Sequence, residues 1–198
     1  MLNGNIECWG SNEYGQSSGW EGEYIALDVE ADHTCALDID GQISCWGYNG
    51  SGETSYPSGI FTKVEAGEEH NCGLDSLGYI ECWGDDSFSQ VTGTPTASGF
   101  IDLVVGDYHS CALDAGGTVS CWGSNLSNQT NVLGVLAHQF TSLAAGDEFT
   151  CGIKASGGQV CWGNNQYQQS SGVPNTAFSQ LALGDTVGCG LDSSNTIQ

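Results

Sequence analysis

The stretch that decides the fold is HTCALDIDGQISCWG, which runs from His33 to Gly47. In its first half Cys35, Leu37 and Ile39 alternate with small or polar residues, and the pair Asp40-Gly41 follows. Alternation with a period of two around an Asp-Gly pair is typical of a β-hairpin. The stretch therefore predicts two short antiparallel strands joined by a tight turn.

The same hairpin recurs along the chain. Three further copies and two half-copies carry its pattern: HNCGLDSLGYIECWG (70–84), HSCALDAGGTVSCWG (109–123), FTCGIKASGGQVCWG (149–163), VGCGLDSSNTIQ (187–198) and MLNGNIECWG (1–10). The tripeptide Cys-Trp-Gly stands at 8–10, 45–47, 82–84, 121–123 and 161–163. An apolar stretch precedes each hairpin and a polar segment follows each Cys-Trp-Gly. Units of about four short strands, repeated about every 40 residues, predict propeller blades. We therefore predict an all-β fold in which residues 1–198 form a single five-bladed β-propeller.

The chain is strongly acidic, with 24 Asp and Glu residues against 2 Lys and Arg and a formal net charge of −22. Such a chain does not neutralise a row of phosphates and is repelled by anionic lipid. No apolar run approaches the ~20 residues that cross a bilayer, and the first residues lack the pattern of a secretory signal. We expect neither nucleic acid nor membrane insertion among its interactions.

The full repeat follows the pattern Ala-Gly-x-x-His-x-Cys-x-Leu-Asp…Cys-Trp-Gly-x-Asn-x-x-Gly-Gln. Its best matches are Ala66-Gly67 with His70, Gly106 with His109, and the run from Trp9 to Gln16. This pattern resembles the regulator of chromosome condensation repeat, whose members build β-propellers, and the resemblance covers essentially the whole chain. It implies the cysteine-containing type common among secreted bacterial proteins.

The resemblance does not imply one activity, because members include a nuclear exchange factor for a small GTPase, bacterial inhibitors of β-lactamase and secreted proteins of unknown role. The family usually has seven blades, whereas this chain has five copies of the repeat. The basic surface of a chromatin-bound exchange factor is missing here, so we do not expect that activity.

Two cysteines separated by nine residues stand in every full copy. A hairpin with a three-residue tip places Cys35 directly opposite Cys45, at a Cα separation of about 4.5–5.5 Å, close to what a disulfide tolerates. The same register pairs Cys72 with Cys82, Cys111 with Cys121, Cys151 with Cys161, and Cys189 with Cys8 across the two chain ends. Buried reduced thiols are one alternative. Zinc bound by His33, Cys35 and Cys45 is another, although Phe149 and Val187 replace the histidine in the last two copies. Five disulfides predict an extracellular or cell-surface location.

The two ends of the chain carry the same part of the repeat, since residues 192–198 match residues 1–7. We predict that residues 6–9 complete the blade begun by residues 189–191, because an open sheet edge promotes aggregation. Two alternatives stay open. The duplicated strand can pair with a neighbouring molecule and build a head-to-tail filament, or the chain can be a piece of a longer array.

An acidic residue recurs two positions before the histidine position, and Ala31 replaces it in the first copy. The four acidic residues are Glu68, Asp107, Asp147 and Asp185. A closed propeller gathers them near one axis, where like charges raise each other's pKa or recruit a hard cation such as Ca²⁺. The alternative is a set of solvated turns. The aspartates before the hairpin tips, Asp38, Asp75, Asp114 and Asp192, are expected to cap those turns.

Loop aromatic residues are candidates for a binding surface, because Trp and Tyr often anchor protein or sugar ligands. We select Trp20, Tyr14, Tyr48 and Tyr167, and the glycosylation pattern is met at Asn49, Asn125 and Asn128. The chain has no G-x-S-x-G, no H-E-x-x-H and no phosphate-binding glycine loop, so an enzyme is not expected. The sequence predicts a non-enzymatic extracellular structural or adhesive module, either free or as the repeating subunit of a surface or filamentous assembly. The alternative is a module that captures a protein or glycan on one loop face, as lectins and inhibitors do.

Overall fold

The structure is a computed structural model that describes residues 4–192, and this part of the chain is built from fourteen strands and one short 3₁₀ helix. The strands are β1 (Tyr24–Glu30), β2 (His33–Asp38), β3 (Ile43–Gly47), β4 (Phe61–Ala66), β5 (His70–Asp75), β6 (Ile80–Gly84), β7 (Phe100–Val105), β8 (His109–Asp114), β9 (Val119–Gly123), β10 (Phe140–Ala145), β11 (Phe149–Lys154), β12 (Gln159–Gly163), β13 (Phe178–Leu183) and β14 (Gly188–Asp192); the 3₁₀ helix is Val132–Gly134. The predicted all-β class is confirmed. No described helix has the length and apolar character required to cross a membrane.

The strands form small antiparallel sheets of the kind found in propeller blades. Sheets 1 to 4 have three strands each, in the orders β1-β2-β3, β4-β5-β6, β7-β8-β9 and β10-β11-β12, and in the described part sheet 5 consists of β13 and β14. The last two strands of each three-stranded sheet are the hairpin that the sequence predicts. The Oδ1 atom of Asp38 accepts hydrogen bonds from the backbone N–H groups of Asp40 and Gln42 at the hairpin tip. Asp75 and Asp114 cap their tips in the same way, so the expected capping role is confirmed for these three residues.

A disulfide joins the two hairpin strands in each of sheets 1 to 4. The bridges are Cys35–Cys45, Cys72–Cys82, Cys111–Cys121 and Cys151–Cys161, with Cα separations of 4.0 to 4.1 Å. Each pair is directly opposed in the ladder, which is the register that the three-residue tip predicts. These cysteines therefore do not form the zinc site or the reduced core that the sequence left open.

The predicted fifth disulfide is wrong, because Cys8 and Cys189 are not bonded. Ile6 pairs with Trp20 instead of with β14, and its side chain packs with Ala36 and Trp46. Each of the four disulfides that form joins two cysteines ten residues apart in sequence. The fifth requires the two ends of the chain to meet, which local hairpin geometry does not enforce. The matching segments 1–7 and 192–198 lie largely outside the described residues.

Consecutive sheets are joined by a repeated hydrogen bond from the tryptophan of Cys-Trp-Gly. The indole N–H of Trp83 donates to the backbone oxygen of Glu53, in the loop that follows sheet 1, at 2.8 Å. Trp46, Trp122 and Trp162 make the equivalent bonds to the backbone oxygens of Gln16, Gln90 and Gln129. The indole rings of these four tryptophans are buried, so the motif packs each sheet against the loop of the preceding repeat.

The first strands of consecutive sheets also lie side by side. At their ends the backbones approach so closely that a Cβ atom on Gly67 would lie 2.4 Å from the carbonyl oxygen of Gly106. The same distance separates a Cβ on Gly106 from the oxygen of Gly146. Only glycine fits this approach, which brings the turns after the first strands together at one end of the sheets.

Candidate binding face

The turns after the first strands and the loops after Cys-Trp-Gly meet at the same end of the molecule. The backbone N–H of Tyr48, which begins one of these loops, donates to the carbonyl oxygen of Asp32 in the β1–β2 turn at 2.8 Å. The later repeats make the equivalent bonds, from Asp85 to Glu69, from Ser124 to Tyr108 and from Asn164 to Glu148. We call this end of the sheets the acidic–aromatic face. It is defined by Glu30, Glu68, Asp107, Asp147, Asp185, Tyr14, Tyr48, Phe88, Tyr108 and Tyr167.

The carboxylates of this face interact electrostatically across all five sheets. Burial raises the pKa of Asp107 to about 7, and the carboxylate of Asp147 is the next largest cause. The pKa of Asp147 is raised to about 6, again by burial first and then by the charge of Asp185. Glu68, Asp107, Asp147 and Asp185, which the sequence singled out, therefore do come within range of one another.

Glu30 is a fifth member of this group that the sequence analysis missed. Its pKa is raised by partial desolvation and then by the carboxylates of Asp28 and Asp185. In the first copy Glu30-Ala31 stands where the later copies have glycine followed by an acid, so counting positions pointed to Ala31 instead. The signal that was available is the acid one residue earlier in the same turn.

The predicted calcium site gains no support from the positions of these side chains. Among residues 4–192 there is no group of three or more His, Cys, Asp or Glu side chains that could hold a metal ion. The carboxylates lie close enough to interact electrostatically, but they do not converge on one point. The assignment of Ca²⁺ to Glu68, Asp107, Asp147 and Asp185 therefore stays a prediction from sequence.

Aromatic side chains stand beside the carboxylates on this face. The rings of Tyr14 and Tyr48 meet edge to face with centroids 5.0 Å apart, and those of Phe88 and Tyr108 do so at 5.6 Å. A hydrogen bond to Glu68 is the main cause of a raised pKa at Tyr108. An aromatic loop and an acidic turn are thus in direct contact at Tyr108, whose ring meets Phe88 and whose hydroxyl bonds Glu68.

The four aromatic candidates from sequence separate into two groups. Tyr14, Tyr48 and Tyr167 are exposed on the acidic–aromatic face. Trp20 lies elsewhere, since its backbone pairs with Ile6 and its ring packs against Trp46 at a centroid distance of 5.4 Å. Only the three tyrosines are therefore placed to form one binding surface.

The loops that carry these aromatics are held in a fixed conformation by their own polar residues. The backbone N–H of Tyr14 donates to the side-chain oxygen of Gln16, and that of Ser17 donates to Asn12 Oδ1. The loop around Tyr167 repeats both bonds through Gln169 and Asn165. Preorganised loops present their exposed aromatic rings at a lower entropic cost than flexible ones.

The predicted glycosylation residues Asn49, Asn125 and Asn128 belong to the same set of loops and are exposed. The side chains of Asn49 and Asn125 accept backbone hydrogen bonds through Oδ1 from Thr54 and Thr130. The geometry does not test glycosylation, and the modification stays a prediction.

The histidines of the repeat lie below the face and join neighbouring sheets. His33, His70 and His109 are buried, and each Nε2 lies within 2.8 Å of a polar side chain of the following sheet. Burial lowers the pKa of His70 to about 4 and that of His109 to about 3, so both are neutral at physiological pH. These hydrogen bonds between neighbouring sheets give the three histidines a structural role.

Comparison with known families gives a match to the repeat itself. The sequence model of the Regulator of chromosome condensation (RCC1) repeat matches residues 31–53, 61–90, 100–129 and 140–169. Each matched segment includes the disulfide hairpin of one of sheets 1 to 4 and the loop that follows it. No protein of curated function matches the chain significantly in sequence.

Two solved receptor ectodomains from plants are similar to the chain in structure and in sequence. The entire ectodomain of the Physcomitrella patens receptor kinase CR4 matches with a TM-score of 0.81 and 30% identity, over 100% of this chain and 56% of that one. The CRINKLY WD40 ectodomain of the Arabidopsis thaliana receptor kinase ACR4 matches with a TM-score of 0.73 and 26% identity, over 89% and 71% of the two chains. This chain therefore spans about half the length of the CR4 ectodomain.

The fold is shared with more distant proteins too. Prp20p from Saccharomyces cerevisiae has a TM-score of 0.72 at 20% identity, over 88% of this chain and 56% of that one. At this level of identity the likeness concerns the fold alone.

Proposed function

The chain belongs to the regulator of chromosome condensation (RCC1) repeat family, and from this premise we propose that it is a non-enzymatic extracellular module with a structural or adhesive role. In this proposal its five sheets act as propeller blades, and its acidic–aromatic face binds cationic segments of a partner protein. The observation that carries the proposal is the contact of the acidic turns with the exposed aromatic loops.

The extracellular location is supported by the four disulfides. Each closes a loop of about 11 residues, which the chain-entropy model equates with roughly 3 kcal/mol of stability. Such bonds persist in oxidising compartments and are rare in the cytosol. CR4 and ACR4, which are similar over most or all of this chain, were both solved as receptor ectodomains.

The choice of a cationic partner follows from the electrostatics of the face. Asp107 and Asp147 have raised pKa values because they are partly buried beside other carboxylates, so their ionised forms are unfavourable. A lysine or arginine side chain bound there relieves the repulsion between the carboxylates. Flat, exposed rings such as Tyr14 and Tyr167 attract the same cations through their π-faces and supply apolar contact area.

A binding measurement with charge-reversed peptides tests this proposal. We expect an arginine- and lysine-rich peptide to bind the oxidised protein in calorimetry, with an affinity that falls as salt rises. A peptide in which each basic residue is replaced by glutamate should not bind. Equal binding of both peptides, or of neither, would contradict recognition through this face.

Variants locate the binding site on the surface. We expect Tyr14→Ala combined with Asp107→Asn to weaken binding by about tenfold, the effect of losing one anchor and one charge. Leu77→Ala is the matched control, because Leu77 is exposed at a hairpin tip, at the opposite end of its sheet from the face. An equal loss in the control would show that the peptide does not bind at the acidic–aromatic face.

A further inference from the structure

The loop after each Cys-Trp-Gly places one polar side chain seven positions after the tryptophan. The residue is glutamine in four repeats and glutamate in one: Gln16, Glu53, Gln90, Gln129 and Gln169. In the first four of these loops the side chain is buried, and Glu53 has an exposed fraction of 0%. A fully buried carboxylate is unfavourable unless a positive charge or hydrogen-bond donors compensate it. The exchange of glutamine for glutamate at this position therefore calls for a compensating partner.

The glutamine of the first loop shows which contacts this position makes. The side-chain oxygen of Gln16 accepts from the backbone N–H of Tyr14, and its Nε2 atom donates to Asp32 Oδ1 in the β1–β2 turn at 3.0 Å. In the second loop Glu53 Oε2 accepts from the backbone N–H of Ser51 in the same way. The other oxygen, Glu53 Oε1, therefore takes the place of the Gln16 Nε2 donor. It is buried and has no hydrogen-bond partner.

The residue opposite Glu53 Oε1 is a second carboxylate. Glu69 stands in the β4–β5 turn at the repeat position of Asp32. The first loop thus sets an amide donor against a carboxylate, and the second loop sets two carboxylates against each other. Desolvation raises the pKa of Glu69, and the charges of Asp85, Glu68 and Glu53 add to the effect in that order. Four carboxylates therefore lie within electrostatic range of one another at this junction.

Lysine side chains do not neutralise this group. The chain has two lysines and no arginine. Among residues 4–192 the lysine ion pairs are those of Lys63, with Glu65 and Asp102. Lys154 lies at the end of β11 that leads into a hairpin tip, away from the loops after Cys-Trp-Gly. A positive charge for Glu53 therefore has to come from outside the chain.

The gap between Glu53 and Glu69 has the ligands that a hard cation prefers. Glu53 is fully buried, whereas Glu69 and Ser51 are half-buried, so the gap is open to water on the side of Glu69. The hydroxyl of Ser51 hydrogen-bonds Glu69 and holds its carboxylate at the gap. Mg²⁺ and Ca²⁺ bind carboxylate, carbonyl and water oxygens, and one or two protein carboxylates with several waters are a common arrangement for Mg²⁺. Two carboxylates completed by water do not require the group of three or more that the described residues lack.

We propose that a hard divalent cation such as Ca²⁺ binds between Glu53 Oε1 and the carboxylate of Glu69. The cation replaces the amide donor that Gln16 supplies in the first loop, and it joins the loop after sheet 1 to the β4–β5 turn. A divalent ion offsets both carboxylates, whereas a proton shared between them removes only one of the four charges. The position of Glu53 is fixed, because its backbone oxygen accepts from the Trp83 indole and from the side chain of Asn71.

This ion site goes beyond the binding role proposed above and uses other residues. The acids that define the acidic–aromatic face do not include Glu53 or Glu69. The ion is held inside the layer of loops, whereas a cationic partner binds on the outside of that layer. The two proposals can therefore fail independently, and each has its own titration.

A calcium titration of the oxidised protein, first freed of metal with EDTA, tests the ion site. We expect wild type to bind one Ca²⁺ in calorimetry with a Kd of about 10⁻⁴ to 10⁻³ M, the range of extracellular calcium modules. At ten times Kd the melting temperature should rise by about 3–6 °C. Glu53→Gln restores the amide that the other four loops have, so it should fold without Ca²⁺. It should bind the ion at least about tenfold more weakly and show no rise in melting temperature.

The matched control is Asp40→Asn, which also removes one carboxylate but lies exposed at a hairpin tip. It should keep the calcium response of wild type, which separates a bound ion from general screening of the net charge. Equal responses of wild type and Glu53→Gln would overturn the proposal, because the ion would then bind elsewhere. The absence of any calcium response in wild type would overturn it too, and would leave a shared proton between the two carboxylates.

A second variant tests the other ligand. Glu69→Gln places an amide donor opposite Glu53 Oε1, so the junction keeps a hydrogen bond while it loses one carboxylate. We expect Glu69→Gln to weaken Ca²⁺ binding at least about tenfold, as Glu53→Gln does. An unchanged Kd in this variant would show that the ion does not lie between the two residues.

Discussion

His109 Nε2 lies 2.7 Å from Thr150 Oγ1, and this hydrogen bond joins sheet 3 to sheet 4 below the acidic–aromatic face. The same bond joins His33 to Asn71 and His70 to Ser110. In the next repeat Phe149 replaces the histidine, and the residue that stands at the partner position is Gly188, which has no side chain to bond. The histidine and its polar partner are therefore both absent at this junction, where the buried Phe149 stands at the histidine position.

We expect Thr150→Val to reduce the free energy of unfolding by about 1–3 kcal/mol, because it leaves the buried Nε2 atom of His109 without a partner. Chemical denaturation of the oxidised protein measures the change. Thr118→Val is the matched control, since Thr118 is exposed and such a substitution changes stability by at most about 0.5 kcal/mol. Equal stability of Thr150→Val and wild type would show that this bond is not a structural link.

The disulfides give a second prediction. Replacing Cys111 and Cys121 by serine should lower the free energy of unfolding by roughly 3 kcal/mol, because the unfolded chain gains the freedom of a loop of about 11 residues. Replacing Cys8 and Cys189 should leave the stability of the isolated monomer unchanged, because these two cysteines are unbonded. Thermal unfolding of both double variants provides the comparison. A similar loss in both would mean that a fifth bond forms within the molecule.

Sequence alone predicted the local features of the fold correctly. The hairpin register, the four disulfides and the aspartate caps depend on residues within about ten positions of one another, where turn geometry decides the outcome. The position of residues 6–9 was predicted wrongly, because Ile6 pairs with Trp20 and not with β14. It depends on whether the sheets pack with enough curvature to bring Cys8 to Cys189, and no local pattern contains that information.

The acidic–aromatic face was predicted in part, for a similar reason. The recurrence of Glu68, Asp107, Asp147 and Asp185 could be counted along the chain, and the structure brings them within electrostatic range. Glu30 was missed because the β1–β2 turn departs from the repeat, with Ala31 in the left-handed region at a φ of 45°. The contact between Phe88 and Tyr108 joins a loop to the turn of the next repeat, and sequence order does not reveal it.

The raised pKa values of the face predict how stability depends on pH. Asp107 binds its proton more tightly in the folded state, with a pKa of about 7 against 3.8 when unperturbed, so its contribution to stability falls as pH rises from about 4 to about 7. His70 and His109 act in the opposite sense, because their folded pKa values are lowered. The difference in melting temperature between wild type and Asp107→Asn therefore isolates the contribution of Asp107.

We expect Asp107→Asn to raise the melting temperature by about 2–4 °C at pH 7.5, discounted for partial solvent exposure, and to have little effect at pH 4. Differential scanning calorimetry at both pH values measures this. Asp40→Asn is the control, since Asp40 is exposed at a hairpin tip on the opposite end of its sheet. A lower melting temperature for Asp107→Asn at pH 7.5 would show that the carboxylate is stabilised there rather than strained.

The tryptophans of Cys-Trp-Gly allow one motif to be compared in two environments. Trp83 is buried and donates to the backbone oxygen of Glu53, so Trp83→Phe removes a hydrogen bond and part of a packed ring. We expect this variant to lose about 2–4 kcal/mol of unfolding free energy, from the unpaired carbonyl and the space left by the smaller ring. Trp9 stands in the same motif but is almost fully exposed, so Trp9→Phe should leave the stability of the monomer unchanged. Denaturation at low salt and low protein concentration, where the acidic chains remain apart, measures both variants on the monomer. A loss of stability in Trp9→Phe under these conditions would place Trp9 in a contact within its own molecule.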